Sequence, residues 1–347
     1  MRQSKFTEET RKLQFTGGST YIISLPKRWI DQNQLKKGSV IKIREEEDGL
    51  LSIIPTETAM QQERDEALIR VSPKDSPDLV IRKTVSTYLV GYNMIRIKAE
   101  KQNQLSTKQR HELKIFSRHM LVGTEIVIDT PQELTLQVLL SYPELSVQSA
   151  LRRMSIITAS MQRDAITALK ELDSQHAKEV LTTDNEVDRF NLYIVRQLKT
   201  AIQNPRIIKE IGLKTARDCL GYRLVTKSVE RTADHAARIA DNVLLIRNRL
   251  EPETMEKLEK MSDLAVSMFE NAIEALFRQD YALAESIVEK TDELISMEKD
   301  AVVSSQKIDV EDAPHLRLII ESIRRTAEYA SDIAEVVLNL TVESIIS

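Results

Sequence analysis

From residue 147 to the end of the chain, small and aliphatic residues return at helical spacing. Turn-forming residues interrupt them at Leu172-Asp173, Asn204-Pro205, Leu250-Glu251-Pro252, Arg278-Gln279-Asp280 and Ala313-Pro314. An apolar period of 3.6 marks helices buried along one face, and Asp, Pro and polar clusters end them. The pattern predicts six helices, over residues 147–171, 175–202, 207–248, 252–277, 281–304 and 313–345. They group three and three, and such short connections make each trio an antiparallel bundle.

The two trios repeat one another. Arg231-Thr232-Ala233-Asp234-His235-Ala236, followed by Ile239-Ala240-Asp241, returns 94 positions later as Arg325-Thr326-Ala327-Glu328-Tyr329-Ala330, followed by Ile333-Ala334-Glu335. Val180-Leu181-Thr182-Thr183-Asp184 corresponds likewise to Val288-Glu289-Lys290-Thr291-Asp292. A repeat of this kind marks a duplicated folding unit, which sets repeat boundaries at 147–250 and 251–347.

Upstream the period changes. Residues 62–142 alternate short β-branched runs with helical ones: a strand at Ala67–Val71, a helix from Leu79 to Leu89, a strand at Met94–Ile97, a helix from Lys108 to Leu121, and a closing strand pair at Glu125–Ile128 and Leu134–Leu140. This βαβαββ order predicts a small α/β middle domain. It contains no phosphate-cradling glycine loop, nucleophile elbow or metal spacing, so its expected role is structural or oligomeric, with a ligand pocket as the second reading. Residues 1–58 read as short strands. Gly17-Gly18-Ser19-Thr20 leads into Tyr21–Leu25, Pro26 opens a short helix, and Asp48-Gly49 joins Val40–Arg44 to Leu50–Pro55 as a hairpin. So small a unit buries little core alone and is expected to dimerise. The predicted fold is therefore mainly α: a C-terminal pair of three-helix bundles, a small N-terminal β domain and an α/β middle domain.

Composition agrees with a helical class. Of 347 residues 41% are hydrophobic, only 4% are aromatic, and there are 8 Gly and 9 Pro. The single cysteine, Cys219, excludes an intrachain disulfide framework and fits a reducing cytoplasm. No stretch approaches eighteen uninterrupted apolar residues and the first residues lack an apolar core, so neither a membrane span nor a secretion signal is expected. A net charge of −4 argues against nucleic-acid binding over the whole surface, yet residues 1–45 hold ten Lys or Arg against four Asp or Glu.

In that basic segment, the order Arg11-Lys12, Gly17-Gly18, Ser24-Leu25-Pro26-Lys27, Leu35 and Gly38 resembles the AbrB/MazE/SpoVT swapped-hairpin domain. The resemblance implies two chains interleaving their strands into one homodimeric barrel whose basic face contacts DNA. By position, Arg11, Lys12, Lys27 and Arg28 would make those contacts. Where many members carry an Arg after the central glycine, this chain has Ser19 and Thr20.

Acidic residues at four-residue spacing carry the other candidate chemistry. Asp184 and Asp188 lie on the second predicted helix, Glu230 and Asp234 on the third. Residues four apart share one helical face. If the two helices face each other inside the bundle, four carboxylates converge, and a cation resolves the cost of holding like charges together. The plainer alternative is a solvated face on which Arg189, Arg231 or Arg238 pair with the acids. In the second half Asp292 and Glu328 keep one acid of each pair, while Ser296 and Arg324 replace the others. His235, about 100° round the helix from Asp234, reads as a rim or packing residue.

Residues 147–347 resemble the PhoU family, whose fold is two three-helix repeats and whose acid-xxx-Asp motifs bind multinuclear metal. The resemblance makes Asp184, Asp188, Glu230 and Asp234 metal ligands, with Asp292 and Glu328 matching half of the motif. All-oxygen donors suit Fe, Mn or Mg better than Zn. It also implies a role in restraining phosphate uptake and signalling phosphate sufficiency. Joined, the two resemblances predict a regulator and not an enzyme, which binds DNA through its head and senses phosphate status through a metal-binding bundle. Two alternatives remain: a scaffold docking on a phosphate transporter or sensor kinase without binding DNA, and a metal-dependent phosphohydrolase.

Overall fold

The computed structural model describes residues 9–18, 20–45, 49–55, 66–100, 103–140, 145–305 and 309–346. Ser19 and Asp48 lie outside them. The chain divides into two compact units, residues 1–64 and 65–347.

The first unit is two hairpins and a short helix. Strands β1 (Gln14–Thr16) and β2 (Thr20–Ile22) pair antiparallel around Gly17 and Gly18, whose φ of 64° and 81° is open to glycine without steric cost. Helix α1 (Lys27–Gln32) follows Pro26, and β3 (Ile41–Glu45) pairs with β4 (Leu51–Pro55). Leu35 is the one large aliphatic side chain buried among the described residues of this unit. Leu13, Phe15, Tyr21, Val40, Ile43 and Leu51 are all at least 59% exposed.

The second unit opens with a four-stranded sheet built from β5 (Glu66–Val71), β6 (Met94–Ala99), β7 (Thr124–Asp129) and β8 (Glu133–Val138) in the order β5-β6-β8-β7. Strands β5 and β6 are parallel, and β8 is antiparallel to both of its neighbours. Helices α2 (Pro77–Val90) and α3 (Thr107–Met120) start at Ser76 and Ser106, whose hydroxyls accept the N–H groups of Leu79 and Gln109. Side-chain alternation splits the sheet into two faces. Ile95, Ile97, Leu134 and Leu136 are fully buried with Val80 and Tyr88, while Arg96 on the opposite face bonds Glu133 at 2.7 Å and Glu66 at 2.8 Å. That charge ladder, completed by Lys98, holds Glu133 down to about 2 and lets the second face stay uncovered.

The rest is helical. The first half holds α4 (Val147–Glu171), α5 (Ser174–Gln203), the short α6 (Pro205–Glu210) and α7 (Ala216–Val243); the second holds α8 (Pro252–Arg278), α9 (Tyr281–Glu289), α10 (Thr291–Ser305) and α11 (Ala313–Thr341). Two predicted helices are therefore interrupted. Gly212, at φ 85°, turns the chain after α6, and a capping box between Thr215 and Asp218 restarts it. Between α9 and α10 the Lys290 N–H bonds the Ile287 carbonyl, a tightened turn at φ −74°, ψ −9°.

The duplication extends to the connections. Leu172 and Gln279 end α4 and α8 in the left-handed conformation at φ 57° and 55°, and Asp173 and Asp280 then cap the next helix. Val229, Ala233, Ala236 and Ile239 of α7 and their counterparts Ile323, Ala327, Ala330 and Ile333 of α11 are all buried. The alanines permit α7 and α11 to approach closely along the seam between the halves. Gln162 of α4 crosses that seam, donating to Thr232 O at 3.1 Å and Thr326 Oγ1 at 2.7 Å.

Candidate functional site

The candidate metal centre lies where α5 packs against α7. Asp184 and Asp188 project from α5 and Glu230 and Asp234 from α7, and each is set apart from the apolar stripe: Val187, Val229 and Ala233 beside them are fully buried. The acids therefore sit at the rim of the seam, with Asp184, Asp188 and Glu230 half-buried and Asp234 exposed, and not in the interior of the bundle as the sequence suggested. An interior position would have required them on the Val187 or Ala233 faces, about 100° away per residue.

At the rim they still feel one another. Loss of water and the neighbouring charges of Asp188, Asp234 and Glu230 push the Asp184 carboxyl up to about 7. Loss of water, with Glu230 next, raises Asp234 to about 6, and the same two causes raise Asp188. Lys227, ion-paired with Glu230, is the local cation that opposes this, together with Arg238 near Asp234. As the side chains stand, no three Asp, Glu, His or Cys groups among the described residues close into one coordination shell. The arrangement is a row of neighbouring carboxylates short of positive charge.

Asn191 extends that row. It follows Asp188 by three residues on α5, on the same face, and its Oδ1 is buried with no hydrogen-bond partner among the described residues. A buried oxygen without a donor is costly, and a neutral oxygen beside carboxylates fits a hard cation's donor set. Sequence reasoning passed over both Asn191 and Lys227, although the step of three from Asp188 and from Glu230 was there to be read.

The second half does not reproduce the row. Arg324 occupies the place of Glu230 and is bonded to Glu298 of α10 at 3.1 Å and to Glu328, which also pairs with Arg325 at 2.5 Å. Asp292, in the first turn of α10, is exposed. Two guanidiniums thus already neutralise Glu328. His235 turns away from the carboxylates toward α11: its Nδ1 lies 3.2 Å from Ser322 Oγ and its ring 5.8 Å from Tyr329, its counterpart in the repeat. Burial, helped by Arg238, Arg325 and Arg324, lowers its pKa to about 4, so it packs as a neutral ring.

In the first unit Arg11, Lys12, Lys27 and Arg28 are all exposed. Arg11 pairs with Glu9, and Lys27 and Arg28 form the first turn of α1.

Two three-helix bundles joined on a pseudo-equivalent seam, one half carrying a rim of helical carboxylates, define a class of tandem helical-bundle protein. The PhoU domain model matches residues 151–243 and 258–337, one match per half, and the model of the antidote-toxin recognition MazE bacterial antitoxin matches residues 14–61. The chain belongs to the PhoU family and carries a MazE-like N-terminal unit. It is 27% identical over 184 residues, half of this chain and 81% of the relative, to a phosphate-specific transport system accessory protein PhoU homolog of Borreliella burgdorferi. A homolog from Thermotoga maritima is 23% identical over 55% of this chain and 84% of its own length. The crystal structures of PhoU from Streptococcus pneumoniae and from Pseudomonas aeruginosa superpose with a TM-score of 0.50 each, at 19% and 21% identity, covering 58% and 57% of this chain and 96% of theirs. Among the described residues no helix is long and apolar enough to cross a membrane.

Proposed function

We propose that this chain regulates phosphate transport in response to phosphate status, binding DNA as a homodimer through residues 1–58 and holding a di- or trivalent cation on the carboxylate rim of α5 and α7. The crowding of Asp184, Asp188, Glu230 and Asp234 on one half-wet rim carries the reading, since loss of water first and neighbouring carboxylates after it raise Asp184, Asp188 and Asp234 toward neutrality, against the partial opposition of Lys227. A bound cation there supplies the missing charge and an electropositive seat for a phosphate oxygen. Asn191 Oδ1 adds a neutral donor. The ion belongs to the first half only, because Arg324 and Arg325 already serve Glu328. Elemental analysis of protein purified without an affinity tag tests it: metal should be present in the wild type and lost in Asp184→Ala and Glu230→Ala. Phosphate added to the loaded protein should then shift DNA affinity, and no shift in either affinity or oligomer shape removes the sensing role.

Dimerisation through the head is supported by the apolar strands that one chain leaves in water, including the Phe15 and Tyr21 rings packed 5.1 Å apart on adjacent strands. Single exposed apolar residues are ordinary, but a contiguous set marks an interface. Phe15→Glu is expected to convert the dimer to monomer in light scattering, and an unchanged dimer would move the interface elsewhere.

DNA binding rests on the four exposed basic side chains. If each neutralises one phosphate, a dimer should show log affinity falling with log salt at a slope of about −7, and Arg11→Ala with Lys12→Ala should flatten it by about half. The names of the relatives favour a second reading, in which the bundle docks on phosphate transport components and the head only dimerises. Absence of salt-dependent DNA binding would leave that reading standing. Phosphoester turnover with Mn that disappears in Asp188→Ala would instead make the chain a hydrolase.

A further inference from the structure

The sheet layer and the first bundle half leave a cleft of about 680 Å³ between α3 and α5. Its volume lies within the range of sites that enclose small organic ligands. The α3 wall sets an apolar strip, Ile115 at 46% exposed with Phe116 and Met120, among the polar side chains of Glu112, Arg118 and His119. The α5 wall is polar and presents Asn185, Glu186 and Arg189. Arg118 from α3 and Arg189 from α5 therefore face the same space from opposite walls. Neither has a hydrogen-bond or ion-pair partner among the described residues, whereas His119 is tied to the Ile115 carbonyl at 2.8 Å and Glu112 lies 3.8 Å from Lys108.

We propose that this cleft binds a purine mononucleotide, the base lying on Phe116, Ile115 and Met120 and the phosphate between Arg118 and Arg189. Guanidinium groups match phosphate oxygens as two-pronged donors, which two unpaired arginines on facing walls are placed to supply. A flat aromatic base covers apolar side chains that a free phosphate would leave wet. Glu186 offers the acceptor that ribose hydroxyls need, and Asn185, held by one amide N–H donated to Thr182 O at 3.0 Å, keeps its oxygen for the same purpose. The location gives the site a use. Asn185, Glu186 and Arg189 interleave along α5 with Asp184 and Asp188, so one two-turn segment turns one side to the cleft and the other to the carboxylate rim. The middle layer would then report a nucleotide to the bundle through a single helix.

Calorimetry of the full chain in a chelating buffer tests the inference, with AMP and GMP as probes and adenosine and inorganic phosphate as separate arms. One purine mononucleotide per chain should bind. Adenosine and phosphate should each bind at least about ten-fold more weakly, and Arg118→Gln and Arg189→Gln should each weaken the nucleotide by about ten-fold or more, the worth of one charge-assisted contact. Both arginines are exposed, so circular dichroism should show the wild-type fold. No heat from either nucleotide at about 1 mM, phosphate binding as tight as AMP, or affinity indifferent to both arginine variants would each overturn it. Because binding is read in chelator and needs no metal at Asp184, failure of the metal reading and failure of this one are told apart.

Discussion

Replacing Asp184 by asparagine is expected to stabilise the metal-free protein above neutral pH while removing its capacity to be stabilised by metal. The Asp184 carboxyl is pushed up to about 7 and that of Asp234 to about 6, by loss of water first and by neighbouring carboxylates after it. In the unfolded chain both titrate near 3.9, about the ordinary value. The folded protein thus holds protons that the unfolded chain has already released between about pH 4 and 7, and stability falls as pH rises through that window. Asparagine keeps the shape of the side chain and carries no charge to desolvate. A tenfold difference in proton affinity between the folded and unfolded chain is worth about 1.4 kcal/mol. Asp184 lies at a half-wet rim, so solvent screening reduces the gain to about 1–2 kcal/mol at pH 8. It should vanish at about pH 3, where the wild-type carboxyl is protonated in the folded protein and largely so in the unfolded one.

Urea denaturation in EDTA at pH 5 and pH 8 measures this, and the same pair of curves with Mn should reverse the order of the two proteins. A variant less stable than wild type at pH 8 in EDTA would mean that Asp184 already has its counter-charge within the chain, and the case for a cation would go with it. The second half shows what an internal answer looks like. There Arg324, in the position of Glu230, is bonded to Glu298 and Glu328, and neither acid needs an added ion.

The helical seam was legible because its period and its duplication are carried by the same residues. Ala233 and Ala327, Ile239 and Ile333 are buried for one reason, the approach of α7 to α11, and so appear twice in the sequence at one spacing. The middle layer was legible down to its strands, because Ile95 and Ile97 alternate with Arg96 and Lys98 as a half-buried sheet demands. Depth was harder. Spacing of four put Asp184 with Asp188 and Glu230 with Asp234, but whether a face lies at the centre or at the rim of a seam depends on the rotation of two helices about each other. Only Val187 and Val229, one residue away, reveal it. The interruptions at Gly212 and Lys290 were illegible for a different reason: apolar period persists across a tightened turn, and a single left-handed glycine or one hydrogen bond spanning three residues in place of four leaves little trace in it. Partners between layers left no local trace at all, and Arg196 is the clearest of them.

Arg196→Met is expected to loosen the sheet layer from the bundle more than any other single substitution away from the cores. Arg196 lies in α5, about two turns beyond Asp188, within the wholly buried run from Tyr193 to Leu198, and is itself 1% exposed. Its guanidinium donates to the Tyr88 carbonyl, to the Gly91 carbonyl at 3.3 Å and to Asn93 Oδ1 at 3.1 Å, and stacks 4.7 Å over the Tyr88 ring. These are the groups that end α2, where Gly91 takes φ 106° to turn the chain into β6. A helix C-terminus presents carbonyls with partial negative charge, and a buried guanidinium is suited to several at once. Methionine fills much of the volume but withdraws every donor. The loss should be about 3 kcal/mol, from one or two charge-assisted bonds and a cation–π contact. Lysine keeps the charge and should recover less than half, since an ammonium cannot span acceptors arranged for a planar fork. Hydrogen exchange separates this local effect from general destabilisation: amides of α2 and β6 should lose protection by the full amount, while those of α8 and α11 in the distant half keep theirs. Equal loss in all four would show that Arg196 stabilises the unit as a whole and that the sheet layer has no separate hold on the helix carrying Asp184 and Asp188.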